Sequence, residues 1–129
     1  TIGLSEGLDP KTQKILELAA IAHDIACPLC REKYGNTAGK YQEEEGGPLT
    51  EDFYRDYPLA EEERDRIAYL VSHHHSCTGV DGMDYQILLE ADFLVNADES
   101  SMTEETIRTF RERVFRTRAG LSLLEDLYL

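Results

Sequence analysis

The chain has 129 residues, 41% hydrophobic and 30% charged, a size and balance that suit one globular domain and exclude a disordered segment or a disulfide-stapled miniprotein. Its 26 acids against 13 basic residues give a net charge of -13, which disfavours nucleic-acid polymers and anionic membrane surfaces as partners. No apolar run approaches the roughly 18 residues of a spanning helix, and no basic segment leads into a short apolar one, so the sequence reads as cytoplasmic.

The opening "TIGLSEGLD" reads as the end of a helix. Asp9 is then a natural N-cap, with Pro10 in the first helical position, where a missing N–H costs nothing. Ile15, Leu16, Leu18, Ala19 and Ala22 recur at helical spacing, followed one turn on by Ile25 and Ala26. Pro28 is expected to close this helix, which places His23 and Asp24 in its last turns. From Gly35 to Pro48 the chain reads "GNTAGKYQEEEGGP", whose four glycines predict a loop holding at most a helical turn around "YQEEE". "LTEDFYRDY" predicts a short helix capped by Thr50, with Phe53 and Tyr57 as its apolar contacts.

"LAEEERDRIAYLVSHHH" is a stronger helix, acidic in its first turn and apolar at Ile67, Leu70 and Val71. The turn "SCTGVDG" separates it from "MDYQILLEADFLVNADE", a helix with Ile87, Leu88, Ala91 and Val95 expected to face inward. "SMTEETIRTFRERVF" restarts with a capping pattern and puts Ile107, Phe110, Val114 and Phe115 on one side, and "TRAGLSLLEDLYL" is a short closing helix. No strand alternation or internal repeat competes with these patterns, so the expectation is one all-α domain over residues 1–129, a bundle of about six to seven helices.

Three of the four histidines are consecutive: His73, His74 and His75. Ile67, Leu70, Val71 and His74 fall at i, i+3, i+4 and i+7, so His74 lies on the core-facing stripe. His75 flanks it, and His73, about 100° away, rims the site or faces outward. Asp92 interrupts an apolar helical face, as His23 and Asp24 do, and a buried carboxylate has to be paired, protonated or metal-bound. Three packed helices would bring His23, Asp24, His74 or His75, and Asp92 to one point, a nitrogen and oxygen donor set suited to Fe, Mn, Ni, Zn or Mg. Adjacent residues on a helix diverge by about 100°, which suits two ligands of an octahedral ion. Such imidazoles need acceptors for their other ring nitrogens, and Glu90, Asp81 and Asp84 are candidates. A structural zinc site from Cys27, Cys30, His75 and Cys77 is the rival reading. Its His-x-Cys half has no familiar spacing, and no βαβ pattern surrounds "CPLC" to make it a redox motif, so Cys27 and Cys30 read as small residues at a helix end, reduced like Cys77.

"AAIAHDIA", followed by "HHHS" and "LLEADFLVN", resembles the HD-domain superfamily of metal-dependent phosphohydrolases. With the lead-in "EGLDPKTQKILELAAIAHDI" and the "GKYQEEEG" segment, the likeness covers nearly the whole chain and points to a small bacterial single-domain subgroup. It implies an HD-domain-like helical fold in which His23, Asp24 and Asp92 bind a divalent metal. His74 and His75 match histidines that some branches use for a second ion or for substrate phosphate, and Gln42, near Glu43 and Glu45, stands where two-metal members have a loop histidine. Two departures stand out. The family's first histidine lies on an earlier helix, whereas residues 1–22 contain none, so the helix carrying it is expected upstream of Thr1. The lysine that many members carry three residues after the aspartate is here Cys27.

The resulting expectation is hydrolysis of a nucleotide or other small phosphate ester. Asp24 would orient a metal-activated water, and His74 or His75 would hold phosphate or protonate the leaving oxygen. A non-catalytic ligand-sensing or partner-binding module with an incomplete metal site is the alternative from another class, and oxygen chemistry at a di-iron site is a third. The sequence leaves monomer and homodimer open.

Overall fold

The computed structural model describes all 129 residues and is all-α, without a strand. After a four-residue turn of helix, α1 (Ile2–Ser5), come α2 (Pro10–Ala22), α3 (Cys27–Tyr34), α4 (Gly39–Phe53), α5 (Glu61–His73), α6 (Met83–Glu99), α7 (Glu104–Arg113) and α8 (Arg118–Tyr128). Two compact units emerge, one from Lys14–Ser76 and the other from Thr1–Gln13 with Cys77–Leu129.

The Lys14–Ser76 unit holds α3, α4, α5 and all but the first turn of α2. Its core includes Leu16, Ala19, Ala22, Ala26, Cys30, Ile67, Leu70 and Val71. The expected loop from Gly35 to Pro48 is instead mostly helix, because its glycines form a packing stripe on α4. A Cβ at Gly39 would lie 3.2 Å from the His75 Cβ, and one at Gly46 would lie 3.3 Å from Val71 Cγ1. Each glycine gives up about 1 kcal/mol of helix propensity, and close approach of α4 to α5 and the residues that follow it offsets that loss. Thr50 is consequently not an N-cap. It lies inside α4, buried, with Oγ1 donating to the Gly46 carbonyl at 2.7 Å. Phe53 and Tyr57 are exposed, and the residue between them in the core is Tyr54, whose hydroxyl donates to the Leu18 carbonyl of α2 at 2.7 Å. Tyr54→Phe should therefore lower stability by about 1 kcal/mol, the net value of one such bond, as read from urea unfolding midpoints.

Helix α5 begins with half of a capping box: Glu63 accepts from the Ala60 N–H at 3.0 Å and also pairs with Lys14 of α2 at 2.8 Å. Between α3 and α4, Tyr34 and Tyr41 stack at 3.9 Å, and Glu45 accepts from both Lys33 (2.7 Å) and the Tyr34 hydroxyl (2.8 Å). Lys33 first, then Tyr34, holds the Glu45 carboxyl below its ordinary value of 4.5. A folded-state value below the unfolded one gives stability that is complete above that ordinary value and fades as pH falls through the folded value. Glu45→Gln should accordingly flatten the acid side of the stability profile below that pH, measured by denaturant midpoints across an acid series.

In the second unit, Asp9 caps α2 as expected, its carboxylate accepting from the Thr12 N–H (3.1 Å) and hydroxyl (2.6 Å). The buried stripe of α6 runs through Ile87, Glu90, Leu94 and Ala97, and Phe93 stacks on Phe110 at 4.3 Å. Val95 is thus 57% exposed and not inward-facing, being one residue, about 100°, off that stripe. Thr103 caps α7 and Thr117 caps α8 through their side-chain oxygens. Glu90 is completely buried and accepts from Thr117 Oγ1 (2.5 Å), Thr117 N (3.1 Å), Arg116 N (3.0 Å) and Gln86 Nε2 (2.6 Å).

Candidate metal centre

Pro28 does not close the helix that precedes it. Helix α2 ends at Ala22, and Pro28 lies in the first turn of α3, a position that suits its fixed φ and missing N–H. His23 and Asp24 are therefore on the connection between two helices, and their side chains converge where the helical expectation had them diverge. His23 Nε2 lies 3.1 Å from Asp24 Oδ2.

The two histidines nearest this aspartate are placed by the same device. The last carbonyls of a helix have no partner within it, and a histidine just past the helix end folds back to donate to one of them. His23, following α2, donates from Nδ1 to the Ala20 carbonyl at 2.7 Å. His74, the C-cap of α5, donates from Nδ1 to the Val71 carbonyl at 2.6 Å. A carbonyl only accepts, so each Nδ1 carries a proton, and Nε2 is the nitrogen each neutral ring offers as an electron-pair donor. Both Nε2 atoms face Asp24: that of His74 is 4.0 Å from Oδ1, and the two rings meet edge to face at 5.5 Å. The sequence had assigned the orienting role to acids such as Glu90, Asp81 or Asp84. Backbone carbonyls perform it, and Glu90 is engaged by α8 and the segment before it.

Burial divides the site. The His74 side chain is wholly buried, whereas the Asp24 side chain is 59% exposed, so solvent reaches the carboxylate that the imidazoles face. When the His23 ring carries a second proton on Nε2, its hydrogen bond holds the Asp24 carboxyl below the usual carboxylate range, against a smaller opposing effect of burial, with the nearby histidine rings adding to the lowering.

His75 is exposed and has the opposite tautomer. Gln42 Nε2 donates to the Thr37 carbonyl at 2.7 Å, which fixes its amide so that Oε1 faces His75 Nε2 at 2.9 Å. His75 Nε2 is therefore a donor and Nδ1 is its other face. Glu43 accepts from the Ser76 hydroxyl and Glu45 belongs to the Lys33 and Tyr34 cluster, so neither acid replaces a loop histidine. His73 donates from Nδ1 to the Tyr69 carbonyl and stacks on Tyr69 at 3.9 Å.

The structure thus brings His23, Asp24 and His74 together, with His75 beside them at 4.0 Å between ring centroids. Asp92 belongs to the other unit, on α6, where it is half-buried and accepts from Asn96 Nδ2 at 3.2 Å. No group of three or more His, Cys, Asp or Glu side chains is arranged for common metal ligation, which applies to the cysteine-based zinc reading as well. The donor chemistry nevertheless fits a cation. Two ligands at right angles, each about 2.1 Å from a metal, lie about 3.0 Å apart, close to the separation of His23 Nε2 and Asp24 Oδ2. Imidazoles oriented by hydrogen bonds from Nδ1 to carbonyls are the usual supporting shell of metal-bound histidine. The two capping histidines are what sequence periodicity missed: each stands one residue past the end of a helix.

Comparison with protein-family models, curated proteins and solved structures finds no match for this chain.

Proposed function

We propose that the chain is an HD-domain-like, metal-dependent phosphohydrolase acting on a nucleotide or another small phosphate ester. The observation that supports this most is the pair of helix-capping histidines whose Nδ1 atoms donate to carbonyls while both Nε2 atoms face the exposed Asp24 carboxylate. His23, Asp24 and His74 would hold the ion. A bound divalent ion supplies positive charge that acidifies water and balances the phosphoryl oxygens, which a protein of net charge -13 otherwise repels.

The protein's own groups then divide the work. Asp24, open to solvent, would accept a hydrogen bond from the attacking water and orient it. His74, buried and with Nδ1 on Val71, is restricted to holding the ion. His75 is exposed, and in its doubly protonated form Nδ1 would donate to a phosphate oxygen or to the leaving oxygen, with Gln42 fixing the ring through Nε2.

The lack of three side chains arranged for common ligation favours a second reading, a ligand-sensing or partner-binding module of the same shape. Metal uptake separates the two. Chelator-treated protein equilibrated in turn with Mn, Fe, Zn, Ni and Mg should take up at least one of them and then release phosphate from members of a nucleotide and phosphate-ester panel. Stripping the ion again should abolish turnover. Uptake without turnover of any ester would leave the module, and no uptake of any ion would remove the hydrolase reading.

A further inference from the structure

The "CPLC" segment starts a helix, and this changes what its two thiols can do. Cys27 is the first residue of α3 and half-exposed, and Cys30, three residues on, is completely buried. Residues i and i+3 share a helical face with Cβ atoms about 5–6 Å apart, and a disulfide needs about 3.5–4.5 Å. Tightening the first turn of α3 closes that gap without moving one helix against another. The start of the turn is held by the Cys30 N–H donating to the Ala26 carbonyl at 2.9 Å, while Ala26 contributes no side-chain hydrogen bond and Pro28 no N–H. Cys27, half-exposed at the first helical position, is the thiol that an incoming disulfide reaches. Burial, reinforced by the nearby Glu45, pushes the Cys30 thiol up.

We propose that Cys27 and Cys30 form a thiol–disulfide exchange site for small-molecule disulfides of the glutathione class, with Cys27 attacking and Cys30 resolving. Cys27 loses its proton and attacks one sulfur of the disulfide, forming a mixed disulfide and releasing a thiolate that takes up a proton. Cys30 then attacks Cys27 Sγ, its proton passing to the departing thiolate. The mixed disulfide breaks and the second small thiol leaves. Two protein thiols are oxidised and one small disulfide is reduced to two thiols. No proposed metal ligand takes part, so this inference stands apart from the phosphohydrolase reading.

The full-length chain carrying Cys77→Ser, which removes the exposed third thiol, is to be equilibrated with mixtures of reduced and oxidised glutathione. The expected product has lost two hydrogens, carries no glutathione, links positions 27 and 30 on peptide mapping, and returns to the dithiol in excess reduced glutathione. In that background Cys30→Ser should stop at a mixed disulfide on Cys27, and Cys27→Ser should react at least about tenfold more slowly. Two glutathiones per chain, a linkage that forms only in denaturant, or thiols 27 and 30 still reduced where Cys77 of the unsubstituted protein is fully modified would each overturn the proposal.

Discussion

Replacing Glu90 by alanine is expected to lower stability by about 3–5 kcal/mol, because it leaves several buried donors without an acceptor at about 1–3 kcal/mol each. Against a total of about 5–15 kcal/mol for a domain, this is the largest single effect anticipated in the molecule. Its origin is the set of donors gathered on one carboxylate. The N–H groups of Arg116 and Thr117 enter α8 with the Glu90 carboxylate as acceptor, and Thr117 Oγ1 bonds to it while accepting from the Gly120 N–H to cap the helix. Without the carboxylate, two backbone donors lose their acceptor at the start of that helix. Gly120 exists because of the same acid: a Cβ there would lie 1.9 Å from Glu90 Oε1 and 2.7 Å from Thr117 Oγ1. Gly120→Ala should therefore displace the carboxylate and destabilise by at least about 1–3 kcal/mol. Because both substitutions break one network, the double variant should be less destabilised than the sum of the singles by about 1 kcal/mol or more. Urea unfolding of the four proteins measures this coupling. Additive effects, or a Glu90→Ala change below about 1 kcal/mol, would show that Glu90 does not organise the start of α8.

Periodicity and capping made much of this fold legible in advance. Asp9 and Pro10 mark the start of α2, the acids at 61–63 mark that of α5, and the stripe Ile67, Leu70, Val71 and His74 is buried as its spacing requires. The errors share a cause, which is that a residue's local preference was overruled by what packs against it. Glycines 39, 46 and 47 suggest a loop to any rule based on propensity, yet a Cβ at 39 or 46 would press on His75 or Val71, and one at 47 would touch Ser72. Pro28 suggests a helix end, and the same ring geometry equally suits a helix start. On α6 the apolar residues do not reveal which face is inner, because the buried stripe includes Glu90 and leaves Val95 in solvent.

The candidate site was legible as a set of residue types, and the histidine at 74 could be placed from its register on α5. The tautomers were not legible. They depend on the carbonyls of Ala20, Val71 and Thr37, and a carbonyl left over at a helix end carries no sequence signature. The convergence of His23 with Asp24 was likewise hidden while both were assigned to one helix, where successive side chains diverge.

Asp24→Asn is expected to abolish divalent-ion uptake and to lower kcat/KM by at least about 1000-fold, equivalent to about 4 kcal/mol of transition-state stabilisation. Helical content should be unchanged, because the Asp24 side chain is 59% exposed and its replacement opens no core. The physical point at issue is what lies between the imidazoles and the carboxylate. With Nδ1 of His23 and His74 each donating to a carbonyl, a neutral ring turns a lone pair on Nε2 toward the negative oxygens of Asp24, and repulsion follows unless something positive intervenes. A proton on Nε2 would make His23 and Asp24 an ordinary ion pair, whereas a metal ion would make the same atoms ligands. NMR of the ring nitrogens distinguishes them. Loading chelator-treated protein with a divalent ion should shift Nε2 of His23 and His74 while Nδ1 of both stays protonated. His73, stacked on Tyr69, should be unaffected and serves as the internal control. A His23 Nε2 that keeps its proton at neutral pH under saturating ion, together with normal turnover by Asp24→Asn, would mean that the pair is only a surface salt bridge capping α2, and the hydrolase reading would lose its support.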